Sequence, residues 1–238
     1  MNIEASLLSA RAMEIFRRLV AEYGQPVWSS RGDPLETLVG TFLSQNTSDT
    51  NSGRALQALR ARFPSWETLM TAPVTEVEEA IRSGGLARVK APRIQAALRR
   101  IWEERNELSL DFLADLPLAE ARAWLCSLHG VGAKTAAIVL LFSLGRPLFP
   151  VDTHVHRVSR RLGIAPAKAT PEQTETTWEK LMPPETFFPL HMNLIRHGRQ
   201  VCKAINPRCD RCVLRDLCAY YRGQAVSLPS SSHPGEEI

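Results

Sequence analysis

The run Leu128-His129-Gly130-Val131-Gly132-Ala133-Lys134-Thr135-Ala136, set between two apolar stretches, decides how the whole chain reads. Two glycines one residue apart at the mouth of a helix permit a tight turn whose backbone N–H groups point outward. Such a turn can hold a phosphate. No strand pattern precedes it, so neither a dinucleotide-binding loop nor a P-loop fits. What remains is a hairpin between two helices, with a phosphate grip and a plain glycine-capped turn as the two readings of Gly130, Val131 and Gly132.

Working outward, helix punctuation recurs in both directions and strand alternation is absent. Asp33-Pro34-Leu35-Glu36 supplies an N-cap, a proline at the first helical position and an acid behind it. Further start signals stand at Thr47/Ser48, Ser65, Thr75-Glu76-Val77-Glu78 and Thr170-Pro171-Glu172-Gln173, with stops at Gly84-Gly85 and Gly145. Between them apolar residues recur at helical spacing, as in Ile94, Ala97, Leu98 and Ile101. The fold class is all-α, with ten helices or more. From Gly223 onward the sequence GQAVSLPSSSHPGEEI is polar and rich in Ser and Pro, so residues 223–238 read as a disordered tail.

Lys134 falls in the first turn of the helix that follows the hairpin, where the positive end of the helix dipole disfavours the ammonium form. That is the direction a nucleophilic amine needs. Downstream, Val151-Asp152-Thr153-His154 puts an acid at a helix start. Asp152 can serve there simply as an N-cap. The same first-turn N–H groups favour its carboxylate, which can then stabilise positive charge developing nearby. His154 is a candidate for a pocket wall. His156, two residues on, faces another side of the helix, so the pair does not suit one metal ion.

Four of the five cysteines crowd one stretch as Cys202-x6-Cys209-x2-Cys212-x5-Cys218, while Cys126 stands alone. Disulfides suit a secreted chain, and the amphipathic first twenty residues hold no signal-peptide core. Structural zinc commonly takes two close Cys or His pairs, whereas here one close pair is flanked by single cysteines. Four thiolates in one compact loop favour an iron-sulfur cluster, with zinc as the alternative.

Charge adds a weaker signal. The 238 residues carry a net charge of +4. Residues 1–118 hold 14 Lys+Arg against 15 Asp+Glu, and residues 119–222 hold 15 against 8. A basic second half suits a polyanion. Arg199, Lys203, Arg208, Arg211 and Arg215 lie among and before the cysteines, placed to offset an anionic cluster or to meet phosphates. The longest apolar stretch, Ala136 to Phe142, falls far short of the roughly 18 residues a membrane span needs. An intracellular protein is expected.

Taken together the motifs resemble the endonuclease III family of helix-hairpin-helix DNA glycosylases. That family is marked by LPGVGRKTA, VDTH, HGR and cysteines spaced C-x6-C-x2-C-x5-C, in that order. Here the counterparts are Leu128 to Ala136, Val151 to His154, His197 to Arg199 and the four cysteines, with the same cysteine spacing. The resemblance implies a six-helix barrel over about 28–146 and a second helical domain from residues 1–27 and 147–222. A DNA cleft would lie between them, and Cys202, Cys209, Cys212 and Cys218 would hold a [4Fe-4S] cluster.

It further implies base excision repair of damaged, oxidised pyrimidines in double-stranded DNA by a monomer associated with the nucleoid. Lys134 would attack the sugar of a flipped-out nucleotide and cut the strand by β-elimination, with Asp152 stabilising the transition state. Gln45 and Asn46 match the family's glutamine wedge segment, and Leu86 the second wedge. Asn46 departs from the glutamine and Ala87 from an aromatic, both where lesions are touched. A mainly monofunctional uracil or thymine-mismatch glycosylase and a non-catalytic DNA-binding module are the competing readings.

Overall fold

The computed structural model describes residues 3–227, and every ordered element among them is helical. The helices are α1 (Ile3–Tyr23), α2 (Pro34–Ser44), α3 (Asp49–Arg62), α4 (Trp66–Thr71), α5 (Val74–Ala80), α6 (Ala87–Arg105), α7 (Leu118–Ser127), α8 (Ala133–Leu144), α9 (Thr153–Leu162), α10 (Pro171–Leu181), α11 (Phe187–Gln200) and α12 (Ala219–Ser227). Short 3-10 turns join several of them. None of these helices is long and apolar enough to cross a membrane.

Caps explain where they begin. Asp33, Ser48, Ser65 and Thr170 each accept a backbone N–H from the first turn of α2, α3, α4 and α10. Ser65 and Thr170 complete reciprocal capping boxes with Thr68 and Gln173. The expected start at Thr75 is corrected: α5 begins at Val74 behind Pro73. Proline fixes φ and holds Ala72 extended, so the helix starts directly after the ring and needs no side-chain cap. Gly85 and Gly145 adopt φ of 68° and 63°, the left-handed values that end helical segments. At the other end α12 runs through Gly223 to Ser227, which corrects the expected disorder for residues 223–227, and residues 228–238 lie outside the described residues.

The chain divides into two compact units. The central one, Trp28–Pro150, contains α2 to α8 around a core that includes Leu35, Leu38, Phe42, Leu59, Ile94, Leu98 and Leu140. The division falls after Pro150 instead of after Arg146, since Leu148 joins that core. Within the unit α8 packs on α2 and on α7, and its residues Ala136, Ala137, Val139, Leu140, Leu141 and Phe142 are buried on all sides. A helix apolar all round must be central. The loop that leads into it is therefore rigidly founded.

The other unit, Met1–Val27 with Val151–Ile238, packs α11 between α1 and α9 over Ile15, Leu19, Val155, Val158, Leu190 and Leu194. Trp178 of α10 is fully buried and its indole N–H donates to Ser159 Oγ at 2.7 Å. Arg11 of α1 donates to the carbonyls of Leu162 and Leu217, so the first helix binds both α9 and the cysteine loop.

Candidate functional site

The two hairpin glycines are glycine for different reasons. Gly130 has φ of 86°, and a Cβ there would stand 3.1 Å from Arg93 Cδ and 3.2 Å from Phe42 Cε1. The backbone disfavours any side chain there, and the space is tight as well. Gly132 has φ of −103° with nothing within 4 Å of a Cβ, so its own unit does not demand glycine. Val131 between them is buried, and its N–H is spent on the carbonyl of Leu128 at 3.0 Å. The expectation that all three residues present N–H groups outward is corrected at Val131. The outward donors begin at α8, which starts on Gly132 with no side-chain cap. The N–H groups of Ala133 and Lys134 have no partner among the described residues.

Lys134 is the second residue of α8 and is exposed, with no hydrogen bond or ion pair to its Nζ among the described residues. Arg93 of α6 lies against the hairpin, half-buried, with its aliphatic stem on Gly130. The same unit brings the other expected contact residues to two loops. Asn46, just past α2, and Leu86, just before α6, are exposed and carry φ of 54° and 52°. Leu86 is 53% exposed. A leucine in the left-handed region and open to solvent is unfavourable on both counts, which marks a site where something else holds it. Gln45 is half-buried, and its Nε2 donates to the carbonyl of Gly130 at 3.2 Å. The side-chain amide is thus a strut between α2 and the hairpin.

In the other unit Asp152 caps α9, accepting the N–H of Val155 at 2.7 Å through Oδ1. Oδ2 has no hydrogen bond among the described residues. His154 is half-buried against α11, where a Cβ on Gly198 would come within 3.0 Å of His154 Cβ. Its Nδ1 meets the Arg157 guanidinium at 3.1 Å, and that guanidinium also donates to the carbonyls of Gly198 and Cys202. The glycine of the His197-Gly198-Arg199 stretch is therefore what lets α9 and α11 touch. His156 is structural, its Nε2 on the carbonyl of Ala169 at 2.8 Å.

Cys202, Cys209, Cys212 and Cys218 line one recess of about 300 Å³ that also counts open solvent. Among the described residues no three Cys, His, Asp or Glu side chains converge closely enough for a single ion. A tetrahedral zinc site gathers thiolates to about 3.8 Å from one another, as Zn–S bonds of about 2.3 Å require. Four thiols set around a recess fit a polynuclear iron-sulfur group better than one ion. Burial pushes the Cys212 thiol up to about 11 and raises that of Cys209, so in the bare loop these groups keep their protons and bind iron by exchanging them.

One cation at a cysteine sulfur comes from outside the loop. Arg161 of α9 places Nη1 at 3.4 Å from Cys202 Sγ and also donates to the carbonyls of Lys203 and Ala204. His197 is buried, and burial lowers it to about 4, so it is neutral at neutral pH. Its Nδ1 meets Tyr23 Oη at 2.9 Å and its Nε2 meets Cys212 Sγ at 3.5 Å. Arg157, Arg161, Tyr23 and His197 were not singled out by sequence. Only the HGR motif hinted at His197.

A family model described as "HhH-GPD superfamily base excision DNA repair protein" matches residues 39–184. A second, described as "Iron-sulfur binding domain of endonuclease III", matches residues 202–218. Among known proteins the chain is similar to endonuclease III of Thermotoga maritima, 35% identical over 209 residues that cover 88% of this chain and 92% of that one. It is similar also to endonuclease III of Escherichia coli K12, 34% identical over 89% of this chain and 96% of the other. Among solved structures it matches a trapped endonuclease III–DNA covalent intermediate with a TM-score of 0.79 at 29% identity, covering 91% of this chain and 98% of that chain.

Proposed function

The chain belongs to the endonuclease III family of the HhH-GPD superfamily of base excision repair proteins, and on that premise we propose that Lys134 and Asp152 excise damaged pyrimidines from duplex DNA and cut the strand. The observation that carries this reading is an exposed lysine, without an internal partner, in the first turn of a helix whose leading N–H groups are uncapped. A free amine and a phosphate-sized set of donors stand side by side there. The anion they suit is a phosphate of the DNA backbone, held by the N–H groups at the start of α8 just past the hairpin.

The damaged nucleotide must leave the stack, because its C1′ is shielded inside the duplex; unstacking costs a few kcal/mol. Asn46 and Leu86, the two exposed loop tips, would wedge into the stack beside the gap. Lys134 reacts as the neutral amine, its ammonium proton given up to solvent. The amine Nζ then bonds to C1′ as the bond from C1′ to the base breaks, and the base departs with a proton. Asp152 steadies the positive charge that develops on the sugar. The C1′–O4′ bond then breaks, O4′ takes up a proton as a hydroxyl, and an iminium remains between Nζ and C1′. Loss of a C2′ proton and departure of the 3′ phosphate cleave the strand, and water releases the lysine.

The chain carries a [4Fe-4S] cluster as its cofactor, which Cys202, Cys209, Cys212 and Cys218 would hold. When bound, it supplies iron–thiolate bonds that close the loop 202–218. Arg157 and Arg161 tie that loop to α9 and so to the helix that Asp152 caps. The enzyme acts as a monomer on DNA in the cell.

A panel of duplex oligonucleotides tests the reading, each with one oxidised pyrimidine, uracil, mismatched thymine or abasic site. Base release and strand cleavage are to be followed on the same molecules. Release coupled to cleavage at oxidised pyrimidines is expected. Release without cleavage overturns the lyase assignment, and no reaction on any member overturns the enzyme.

A further inference from the structure

We propose that Lys90 is a positioning residue: its buried amine staples together the two loops that carry Asn46 and Leu86, so that both enter a duplex as one rigid device. This rests on the proposed role of those loops. Lys90 is 2% exposed, and it stands in the first turn of α6, where a helix dipole disfavours a cation. Nothing about α6 alone calls for a lysine there.

Its partners do. Nζ donates to the carbonyl of Leu43 at 2.7 Å and to the carbonyl of Gly84 at 2.8 Å. Leu43 lies in the last turn of α2, where a carbonyl has no further helical N–H to accept and a cation is favoured. Gly84 closes the 3-10 turn before Leu86. A Cβ on Gly84 would stand 3.0 Å from Ala55 Cβ and 3.8 Å from the carbonyl oxygen of Leu43, so the two backbones already approach closely. Only a donor on a thin, flexible stem reaches both acceptors.

The geometry downstream gives the staple its purpose. Leu43 precedes Asn46 and Gly84 precedes Leu86, and both of these exposed residues hold left-handed backbone that a free loop would abandon. Gln45 extends the same support to the hairpin through the Gly130 carbonyl. Lys90 touches no DNA in this scheme. It acts through the carbonyls behind the two tips.

Gln95, further along α6, is an internal control. It is buried and donates to the carbonyls of Leu69 and Ala72, doing for the end of α4 what Lys90 does for α2. The turn it holds carries no exposed left-handed residue.

The test compares Lys90→Met, Lys90→Arg and Gln95→Met on two substrates: an abasic site in a duplex, which must be extruded, and the same site in single-stranded DNA, which need not be. Lys90→Met is expected to slow cleavage of the duplex by about a hundredfold and of the single strand by less than about threefold. Lys90→Arg recovers part of the duplex activity. Gln95→Met lowers the melting temperature without changing the ratio between substrates. In the DNA-free holoprotein, amide hydrogen exchange at residues 44–47 and 84–88 rises together in Lys90→Met.

Equal loss on both substrates, no loss on the duplex, or exchange that rises at one loop alone overturns the proposal. If Lys90→Met does not fold, Lys90→Arg still reads the substrate ratio and the exchange. A wild-type protein inert on both substrates defeats the glycosylase reading instead, and the exchange measurement then decides Lys90 by itself.

Discussion

The starts of α8 and α9 solve one physical problem in opposite ways. Every helix opens with N–H groups that no earlier carbonyl can accept. α9 answers with Asp152, whose Oδ1 accepts the N–H of Val155 at 2.7 Å. α8 opens on Gly132, which has no side chain to offer and room for one. A capped start brings a fixed anion with it. An uncapped one leaves its first N–H groups open, and at α8 a lysine stands beside them. The proposed chemistry uses both: a phosphate and a nucleophile at one helix, and a carboxylate at the other.

Changes at each start should separate these roles. The largest effect is expected from Lys134→Ala, which removes the nucleophile and lowers strand cleavage by about a thousandfold or more. Thermal melting should barely move, because Lys134 makes no bond among the described residues. Asp152→Asn sharpens the contrast, as Asn caps a helix nearly as well as Asp but carries no charge. Turnover should fall about a hundredfold or more with stability nearly kept, and Asp152→Ala should lose both. If Asn keeps full turnover, Asp152 is only a cap.

Removing iron with a chelator acts on one start alone. Arg157 and Arg161 hold α9 to the carbonyls of residues 202–204, so hydrogen exchange should accelerate in α9 and α11 and stay unchanged in α8. The smallest effect is expected from Gly132→Ser, which gives α8 the cap it lacks. Stability should rise by a few tenths of a kcal/mol, while affinity for undamaged duplex falls by about tenfold, since the hydroxyl competes for the N–H groups that would bind phosphate. Tighter DNA binding in that variant would contradict the idea that α8 is open for an outside anion.

Much of this was readable before any coordinates. Local signals carried well: Asp33, Ser48, Ser65 and Thr170 are all caps, and Gly85 and Gly145 both turn left-handed. The helix starts at Val74, not Thr75, because the proline two residues before Thr75 overrides a side-chain cap. The cysteine loop was legible because spacing alone brings four thiols together. What escaped were bonds between residues far apart in sequence. Lys90 reads as a surface lysine until Leu43 and Gly84 are beside it, and nothing in the sequence around Gln45 points to its bond to the Gly130 carbonyl. Arg161 supplies the charge at Cys202 that the nearer arginines seemed placed to give. One sequence holds helical periods and caps, but no record of which loops meet.

The central claim is that the amine beside the open helix start is the nucleophile. Borohydride reduction during reaction with duplex DNA containing a damaged pyrimidine tests it directly, with peptide mapping of any adduct. The account predicts a covalent protein–DNA adduct on Lys134 in the wild-type chain and none in Lys134→Ala. An adduct mapped to another residue, or one of equal yield in Lys134→Ala, would contradict it.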